Sequence, residues 1–126
     1  MCGVFCIINH NNKLEYSRII EYNFNKGIPR GPEYSKLTTI QEEKESNIIL
    51  GFHRLAINGL NDTSHQPLVY DDCRLICNGE IYNYKELYES ITVVPQTDSD
   101  CEVIIHYYKK YGIKQTLSRL RGVYAF

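Results

Sequence analysis

The sequence lacks the features that membrane proteins and nucleic-acid-binding proteins need. Its longest apolar runs, such as Val4–Ile8, are far shorter than the roughly 20 residues of a transmembrane helix. No basic leader precedes a long apolar segment, so we expect no secretory signal. The formal net charge of −1 over 126 residues gives no basic footprint for nucleic acid or anionic lipid. We therefore expect an intracellular, cytoplasmic protein with no membrane and no nucleic-acid partner.

The cysteines do not have the pattern of a disulfide framework or a metal site. There are five, and an odd number favours a reducing compartment. Cys2/Cys6 and Cys73/Cys77 have C-x3-C spacing, which could suggest zinc ligands. Both pairs lie in strand-like segments, where positions four apart are separated by about 13 Å. We predict buried thiols and no metal.

Local patterns predict a mixture of strands and helices in one domain, and the 43% hydrophobic content is enough for a core. Cys2–Asn9 is apolar at both alternations, which predicts a strand between two packed layers. Helical spacing predicts a helix over Leu14–Phe24. The other predicted segments are a loop over Gly27–Pro32, a β-rich stretch over Asn47–Ile57, a polar loop over Leu60–Pro67, and a hairpin of Leu68–Tyr70 and Cys73–Cys77 around Asp71-Asp72.

Two capping-box signals predict helix starts. Asn83 is followed by Glu86, and Ser99 is followed by Glu102. The first helix should run to about Ser90, and Gly112 should end the second. The second helix should bury an apolar stripe of Val103, Ile104, Tyr107, Tyr108 and Tyr111. The last segment, 117–126, runs into an apolar strand, from which we expect a domain truncated at its C-terminus.

The residue after the initiator methionine is a cysteine. Removal of Met1 would give Cys2 both a thiol nucleophile and a free α-amine, whose ordinary pKa of about 7.7–8.0 lets it act as a base near neutral pH. Cys2 could instead be a buried small apolar residue or an S-acylation site.

Three further positions could form a site with Cys2, although each has an ordinary structural explanation. Arg54 is either a solvated charge at the end of a strand or a guanidinium group that binds a substrate carboxylate through two hydrogen bonds. Asn78-Gly79 is either a tight turn or an oxyanion hole made by a carboxamide and a backbone N–H. Asp100 either complements a helix dipole or holds an ammonium group.

Together these residues describe a pocket for an α-amino acid with a side-chain acyl group, such as glutamine. The histidines at 10, 53, 65 and 106 could suggest a Cys/His or Ser/His site instead, but none falls in a recognisable nucleophile motif. We expect His53 to be structural.

The order of these motifs resembles the class II glutamine amidotransferases, and specifically the N-terminal domain of glutamine-hydrolysing asparagine synthetases. The matching strings are Cys2-Gly3-Val4-Phe5, Arg30-Gly31-Pro32, His53-Arg54-Leu55-Ala56-Ile57, His65-Gln66-Pro67-Leu68, Asn78-Gly79-Glu80-Ile81-Tyr82-Asn83, Ser99-Asp100-Cys101-Glu102-Val103-Ile104 and Leu120-Arg121-Gly122-Val123-Tyr124-Ala125-Phe126. Two strings depart from the family pattern: Pro29-Arg30-Gly31-Pro32-Glu33 stands where the family usually has His-Arg-Gly-Pro-Asp, and Asn58-Gly59 stands where Val-Asp is common.

The resemblance implies an α+β fold, the N-terminal-nucleophile hydrolase sandwich of two antiparallel sheets between helical layers. It implies that Cys2 attacks the glutamine carboxamide while Asn78 and Gly79 stabilise the oxyanion. Arg54 would hold the α-carboxylate, and Asp100 and Glu80 would lie around the α-ammonium group. The pocket would also be lined by Leu55, Ala56, Ile57 and Asn58.

The resemblance also has implications for domain organisation, cofactors and partners. Residues 1–126 would be an incomplete amidotransferase domain without a synthetase domain, since no Ser-Gly-Gly-x-Asp-Ser pyrophosphate loop occurs. No cofactor is expected, because ATP and Mg²⁺ belong to a separate synthetase domain. The chain would hydrolyse L-glutamine and pass ammonia to asparagine synthesis, with a synthetase subunit or a second copy as possible partner. The alternative is a non-catalytic remnant that binds glutamine or a partner protein.

Overall fold

The computed structural model describes residues 2–9, 17–42 and 46–126. The chain divides into two compact units, Met1–Ala56 and Ile57–Phe126. Each unit contains antiparallel β-structure and helix, so the fold is α+β.

The first unit contains one helix and a three-stranded antiparallel sheet. Its elements are β1 (Gly3–Asn9), α1 (Ser17–Asn25), a 3₁₀ turn (Ile28–Arg30), β2 (Tyr34–Glu42) and β3 (Ser46–Arg54). β3 is central, with Gly3 of β1 opposite His53 and Tyr34 of β2 opposite Arg54. The predicted β1 and β3 are confirmed, whereas β2 was not predicted. The predicted helix over Leu14–Phe24 is observed from Ser17, and residues 14–16 lie outside the described ranges.

The helix packs on the sheet through Phe24. Its buried ring stacks on His53 with centroids 4.0 Å apart and meets the edge of Phe5 at 5.8 Å. Gly51 makes this possible, because a Cβ there would lie 2.6 Å from the Phe24 ring. On the other face of β1, Val4 is 38% exposed, Ile8 is 66% exposed and Cys6 is exposed within the part of the chain that the structure describes. The prediction that Cys6 is buried is therefore wrong, whereas the prediction that β1 lies between two packed layers stays a prediction.

The second unit contains two short antiparallel sheets and two helices. β4 (Leu68–Tyr70) pairs with β5 (Cys73–Leu75), and β6 (Asn78–Ile81) pairs with β7 (Gly122–Ala125). The helices are α2 (Tyr84–Ile91) and α3 (Val103–Arg119), with 3₁₀ turns at Asp62–Ser64 and Asp100–Glu102. The hairpin around Asp71-Asp72 is confirmed. The peptide bond before Pro67 is cis.

The core of the second unit lies between its hairpin and its helices. Its buried members are Leu68, Leu75, Cys77, Ile81, Leu87, Tyr88, Ile91, Cys101, Val103, Ile104, Ile105, Tyr107 and Leu120. Gly112 has non-helical dihedrals (φ 75°, ψ 168°) and breaks α3, but helix continues beyond it to Arg119. The predicted stripe is buried at Val103, Ile104 and Tyr107. Tyr108 and Tyr111, which lie closer to the break, are exposed.

Candidate functional site

The Cys2 thiol lies against the residues that follow β3. Its Sγ donates to the carbonyl oxygen of Leu55 at 3.3 Å and accepts the Leu55 N–H at 3.4 Å. This contact follows from the sheet register, because antiparallel pairing of Gly3 with His53 brings the preceding residue, Cys2, to the level of Arg54 at the end of β3, directly before Leu55. The half-buried Cys2 and Leu55 are therefore neighbours, and Arg54 is the residue directly before Leu55.

The segment Arg30–Glu33 holds these two chain segments together. Arg30 Nε donates to the Cys2 carbonyl oxygen at 3.3 Å. Glu33 donates its N–H to the Arg54 carbonyl oxygen at 3.1 Å, and its carboxylate accepts the Ala56 N–H at 2.9 Å. Gly31 permits this close approach, because a Cβ there would lie 2.4 Å from the His53 carbonyl carbon.

Arg54 and His53 are both buried at the end of β3. Arg54 is 6% exposed, so it is not the solvated strand-end charge that was one reading of the sequence. The His53 ring lies between Ser35 Oγ at 2.7 Å from Nδ1 and the Phe24 carbonyl oxygen at 2.8 Å from Nε2. Both ring nitrogens have protein partners, in agreement with a structural histidine.

Asn78, Gly79 and Glu80 lie in β6 opposite β7, so the tight-turn reading of Asn78-Gly79 is wrong. Asn78 and Glu80 are half-buried and Gly79 is exposed. Gly79 has no room for a side chain, since a Cβ would lie 2.2 Å from the Val123 carbonyl oxygen. The strand thus presents a carboxamide and a glycine in succession, which are the group types of an oxyanion hole.

Asp100 is tied to the end of the same strand. It is 5% exposed, and its Oδ2 accepts the Ile81 N–H at 2.6 Å. The next residue, Cys101, donates its thiol to the Gly79 carbonyl oxygen at 3.7 Å. A hydrogen bond with the Cys77 thiol, together with burial, raises the pKa of Cys101, which makes it an unreactive buried thiol. The second unit therefore brings Asp100 and β6 together.

The remaining predicted pocket residues lie where the two units join along the sequence. Leu55 and Ala56 are half-buried and belong to the first unit with Cys2 and Arg54. Ile57 and Asn58 are exposed and belong to the second unit with Asn78, Gly79, Glu80 and Asp100. In the loop that follows, the Asn61 carboxamide accepts the hydroxyls of Thr63 and Ser64 and bonds the Asp98 carboxylate.

Two buried residues that support the site segments were missed as functional positions. The Glu102 carboxylate, read from the sequence as part of a capping box, instead accepts the backbone N–H groups of Gln96 and Thr97 at 2.8 and 2.7 Å. Gln66, which was matched only as part of a motif, bonds the backbone of Cys77. Both partners are backbone groups that no side-chain pattern identifies, so only the motif strings marked these positions.

Neither a metal site nor a transmembrane helix is visible in the parts of the chain that the structure describes. Residues 2–9, 17–42 and 46–126 hold no group of three or more His, Cys, Asp or Glu side chains that could bind a metal ion. Within the same residues no helix is long and apolar enough to cross a membrane.

The comparisons with known proteins agree on one family. A sequence model described as "Glutamine amidotransferase domain" matches residues 1–126. The chain is 34% identical over 127 residues to a probable glutamine-hydrolysing asparagine synthetase of Acanthamoeba polyphaga mimivirus, covering 99% of this chain and 23% of the relative. It is 35% identical over 130 residues to the Gallus gallus asparagine synthetase, covering 100% of this chain and 22% of that protein.

A putative asparagine synthetase of Methanocaldococcus jannaschii is 34% identical over 143 residues, with 27% of its length covered. The chain therefore spans about a quarter of the length of these curated relatives. The match over all 126 residues establishes that the chain belongs to the glutamine amidotransferase domain family, and the relatives to which it is similar are asparagine synthetases.

Proposed function

We propose that this domain hydrolyses L-glutamine to glutamate and ammonia through a thioester on Cys2. The observation that carries the proposal is the contact of the Cys2 thiol with Leu55, the residue after Arg54. A nucleophile in contact with the residue that follows a buried arginine is suited to an amino-acid substrate whose α-carboxylate the arginine binds. The proposal requires removal of Met1, because the α-amine of Cys2 serves as the base.

The proposed chemistry proceeds in two acyl transfers. The Cys2 sulfur attacks the carboxamide carbon of glutamine, and the carbonyl electrons move onto oxygen, where Asn78 and Gly79 donate hydrogen bonds. The intermediate collapses with loss of ammonia, which takes the proton that the α-amine removed from the thiol. Water then attacks the thioester, releasing glutamate and regenerating the thiol.

Substrate recognition would use the residues that the family motifs assign to it. Arg54 would bind the α-carboxylate, and Leu55 and Ala56 would line the pocket beside it, followed along the chain by Ile57 and Asn58. Asp100 would meet the α-ammonium group near Glu80. Since Asp100 Oδ2 already accepts the Ile81 N–H, its Oδ1 would be the oxygen that faces the substrate.

The wider setting extends the same proposal. The fold would be the N-terminal-nucleophile hydrolase sandwich, and the reaction would need no cofactor because thiol, amine and oxyanion donors all come from this chain. Ammonia would pass to an asparagine-forming synthetase, which would use ATP and Mg²⁺ to activate aspartate. That synthetase, or a second copy of this chain, is the partner that we propose, and the cytoplasm is the expected location.

The experiment is an intact-mass measurement of the purified protein before and after exposure to a diazoketone analogue of glutamine. We expect loss of Met1 and one stoichiometric adduct on Cys2, which a Cys2→Ser variant should not form. Cys6→Ser is the matched control, because it removes an exposed thiol outside the proposed site and should be labelled like the parent.

Activity should follow the same residues. Cys2→Ser should abolish glutamate production, and Asn78→Ala should lower kcat by about 10²–10³, the usual cost of losing one oxyanion donor. A processed chain that binds glutamine without forming the adduct would contradict the proposal and favour a non-catalytic remnant. Unchanged turnover in Cys2→Ser would exclude Cys2 as the nucleophile.

A further inference from the structure

Gln66 makes a two-point contact with the backbone of one residue. Its Oε1 accepts the Cys77 N–H at 2.5 Å, and its Nε2 donates to the Cys77 carbonyl oxygen at 3.1 Å. Gln66 is 6% exposed and Cys77 is 1% exposed, so water competes little for these groups. The carboxamide therefore does for Cys77 what a neighbouring strand would do in a sheet, bonding both its donor and its acceptor.

The position of this contact in the chain gives it a consequence for β6. β5 ends at Leu75 and β6 begins at Asn78, so Cys77 belongs to neither strand. A buried backbone group outside a ladder must find another partner, and without one it costs about 1–3 kcal/mol. The Gln66 side chain fixes the peptide group directly before Asn78.

The other end of β6 is fixed by different contacts. The Ile81 N–H is held by Asp100, and the Gly79 carbonyl oxygen is held by Cys101. Gly79 also lies against the backbone of β7, where a Cβ would be 2.5 Å from the Tyr124 Cα. With Gln66 at the start and Asp100 at the end, the strand is restrained on both sides of the Asn78-Gly79 pair.

We propose that Gln66 is a positioning residue for the oxyanion donors Asn78 and Gly79. This inference rests on the proposed glutamine hydrolysis. Oxyanion stabilisation depends on donors aimed at the position that the developing charge will occupy, and small displacements cost much rate. Loss of the two hydrogen bonds to Cys77 frees the peptide group before Asn78. The oxyanion donors then lose their orientation, while the residues that bind the α-carboxylate and α-ammonium groups of glutamine keep theirs.

The test uses Gln66→Met, which keeps the length of the side chain and removes both hydrogen bonds, with Gln115→Met as the control at an exposed position. The first measurement is amide hydrogen exchange of Cys77, Asn78 and Gly79. We expect exchange at Cys77 to be about tenfold faster in Gln66→Met, as for loss of about one hydrogen bond, and unchanged in Gln115→Met. Unchanged exchange at all three amides in Gln66→Met would overturn the inference, whether or not the protein hydrolyses glutamine.

The second measurement is the split between kcat and KM. In folded Gln66→Met, kcat should fall at least about tenfold while the KM for glutamine stays within about threefold, because only transition-state contacts are disturbed. Equal losses in kcat and in glutamine affinity, or no loss at all, would overturn the inference. A parent protein without turnover, combined with faster exchange in Gln66→Met, would defeat the proposed function and leave the positioning of the Asn78 segment supported.

Gln66→Glu adds a further readout, the pH dependence of kcat, which should not change if Gln66 has a purely structural role. Its carboxylate still accepts the Cys77 N–H but faces the Cys77 carbonyl oxygen without a proton. At lower pH the protonated carboxyl can donate to that oxygen, so the kcat of Gln66→Glu relative to the parent should rise as pH falls. A constant ratio across the active pH range would count against the inference.

Discussion

Glu102 keeps a negative charge in a nearly closed environment. It is 3% exposed, and its oxygens accept from Gln96 N–H, from both the N–H and the hydroxyl of Thr97, and from His106 Nε2 at 2.6–2.9 Å. Burial alone would raise the pKa of Glu102, but these hydrogen bonds more than offset it and the net pKa lies below the ordinary value. The carboxylate thereby holds the loop that leads into Asp100.

Replacing Glu102 by Gln tests this arrangement. The amide retains one acceptor oxygen, but its NH₂ group faces donors, so some of the buried N–H groups lose their partners. We expect the free energy of unfolding to fall by about 3 kcal/mol, since hydrogen bonds to charged groups contribute about 1.5–3 kcal/mol each. Urea denaturation measures the change, with the exposed Glu89→Gln as control. A loss below about 0.5 kcal/mol would contradict the prediction.

The same carboxylate predicts a pH dependence of stability. Its folded-state pKa lies below its ordinary value of 4.5, so its contribution is complete above about pH 4.5 and is lost as pH falls through the folded-state pKa. The difference in unfolding free energy between the parent and Glu102→Gln should therefore shrink below about pH 4.5. Denaturation curves between pH 7 and pH 3 check this, and a constant difference would show that the charge is not the source of the stability.

The end of α2 carries backbone strain. Thr92 follows the helix with φ 58° and ψ 42°, and its N–H bonds the Tyr88 carbonyl oxygen at 3.0 Å. This is the left-handed conformation that often ends helices, where glycine is preferred because a Cβ is crowded. A β-branched residue is especially unfavourable there.

Thr92→Gly should therefore stabilise the protein. The threonine side chain is exposed, so little packing is lost, and removing the Cβ relieves about 1 kcal/mol of strain. Thermal unfolding measures the gain, and Thr92→Ala, which keeps the Cβ in the same conformation, should give much less of it. Lower stability in Thr92→Gly than in Thr92→Ala would contradict the prediction.

Among the helices and strands, those with a local sequence signal were predicted better than those that form only by pairing with another strand. The apolar alternation of β1 and the Asp71-Asp72 turn are visible locally. β2 was missed because Tyr34–Glu42 mixes Lys, Thr and Ser with apolar residues and becomes a strand by pairing with β3. The capping box at Asn83 predicted the start of α2. The Asn83 side chain, however, hydrogen-bonds the backbone of Arg119 and Arg121, which lie 36 and 38 residues further along the chain.

The candidate site shows the same limit. The site residues assigned from motif order stay a prediction, whereas the contacts that hold Cys2 against Leu55 depend on sheet register and could not be predicted from the motifs. The supporting roles of Glu33, Gln66 and Glu102 could not be predicted, because their partners are backbone N–H and carbonyl groups whose positions exist only after folding.

For the molecule as a whole, the five thiols should report the state of folding. Cys77 and Cys101 are buried, Cys6 is exposed, and Cys2 and Cys73 are half-buried. Burial and the neighbouring Asp72 charge raise the pKa of Cys73, so it should react more slowly than Cys6. With an alkylating reagent and mass spectrometry, Cys77 and Cys101 should be modified only under denaturing conditions. Their modification in the native protein would show that the second core opens readily.

The break at Gly112 divides α3 into two parts that differ in burial. Before it, five consecutive residues from Val103 to Tyr107 are buried, whereas Thr116 is the buried residue after it. Thr116 Oγ bonds the Gly112 carbonyl oxygen at 2.9 Å across the break. Local opening needs few contacts to be lost in the second half, so its amides should exchange with solvent without global unfolding. A spectroscopic label at Leu117 would then report fraying of the helical segment after Gly112, and a label at Ile105 would report cooperative melting of the core.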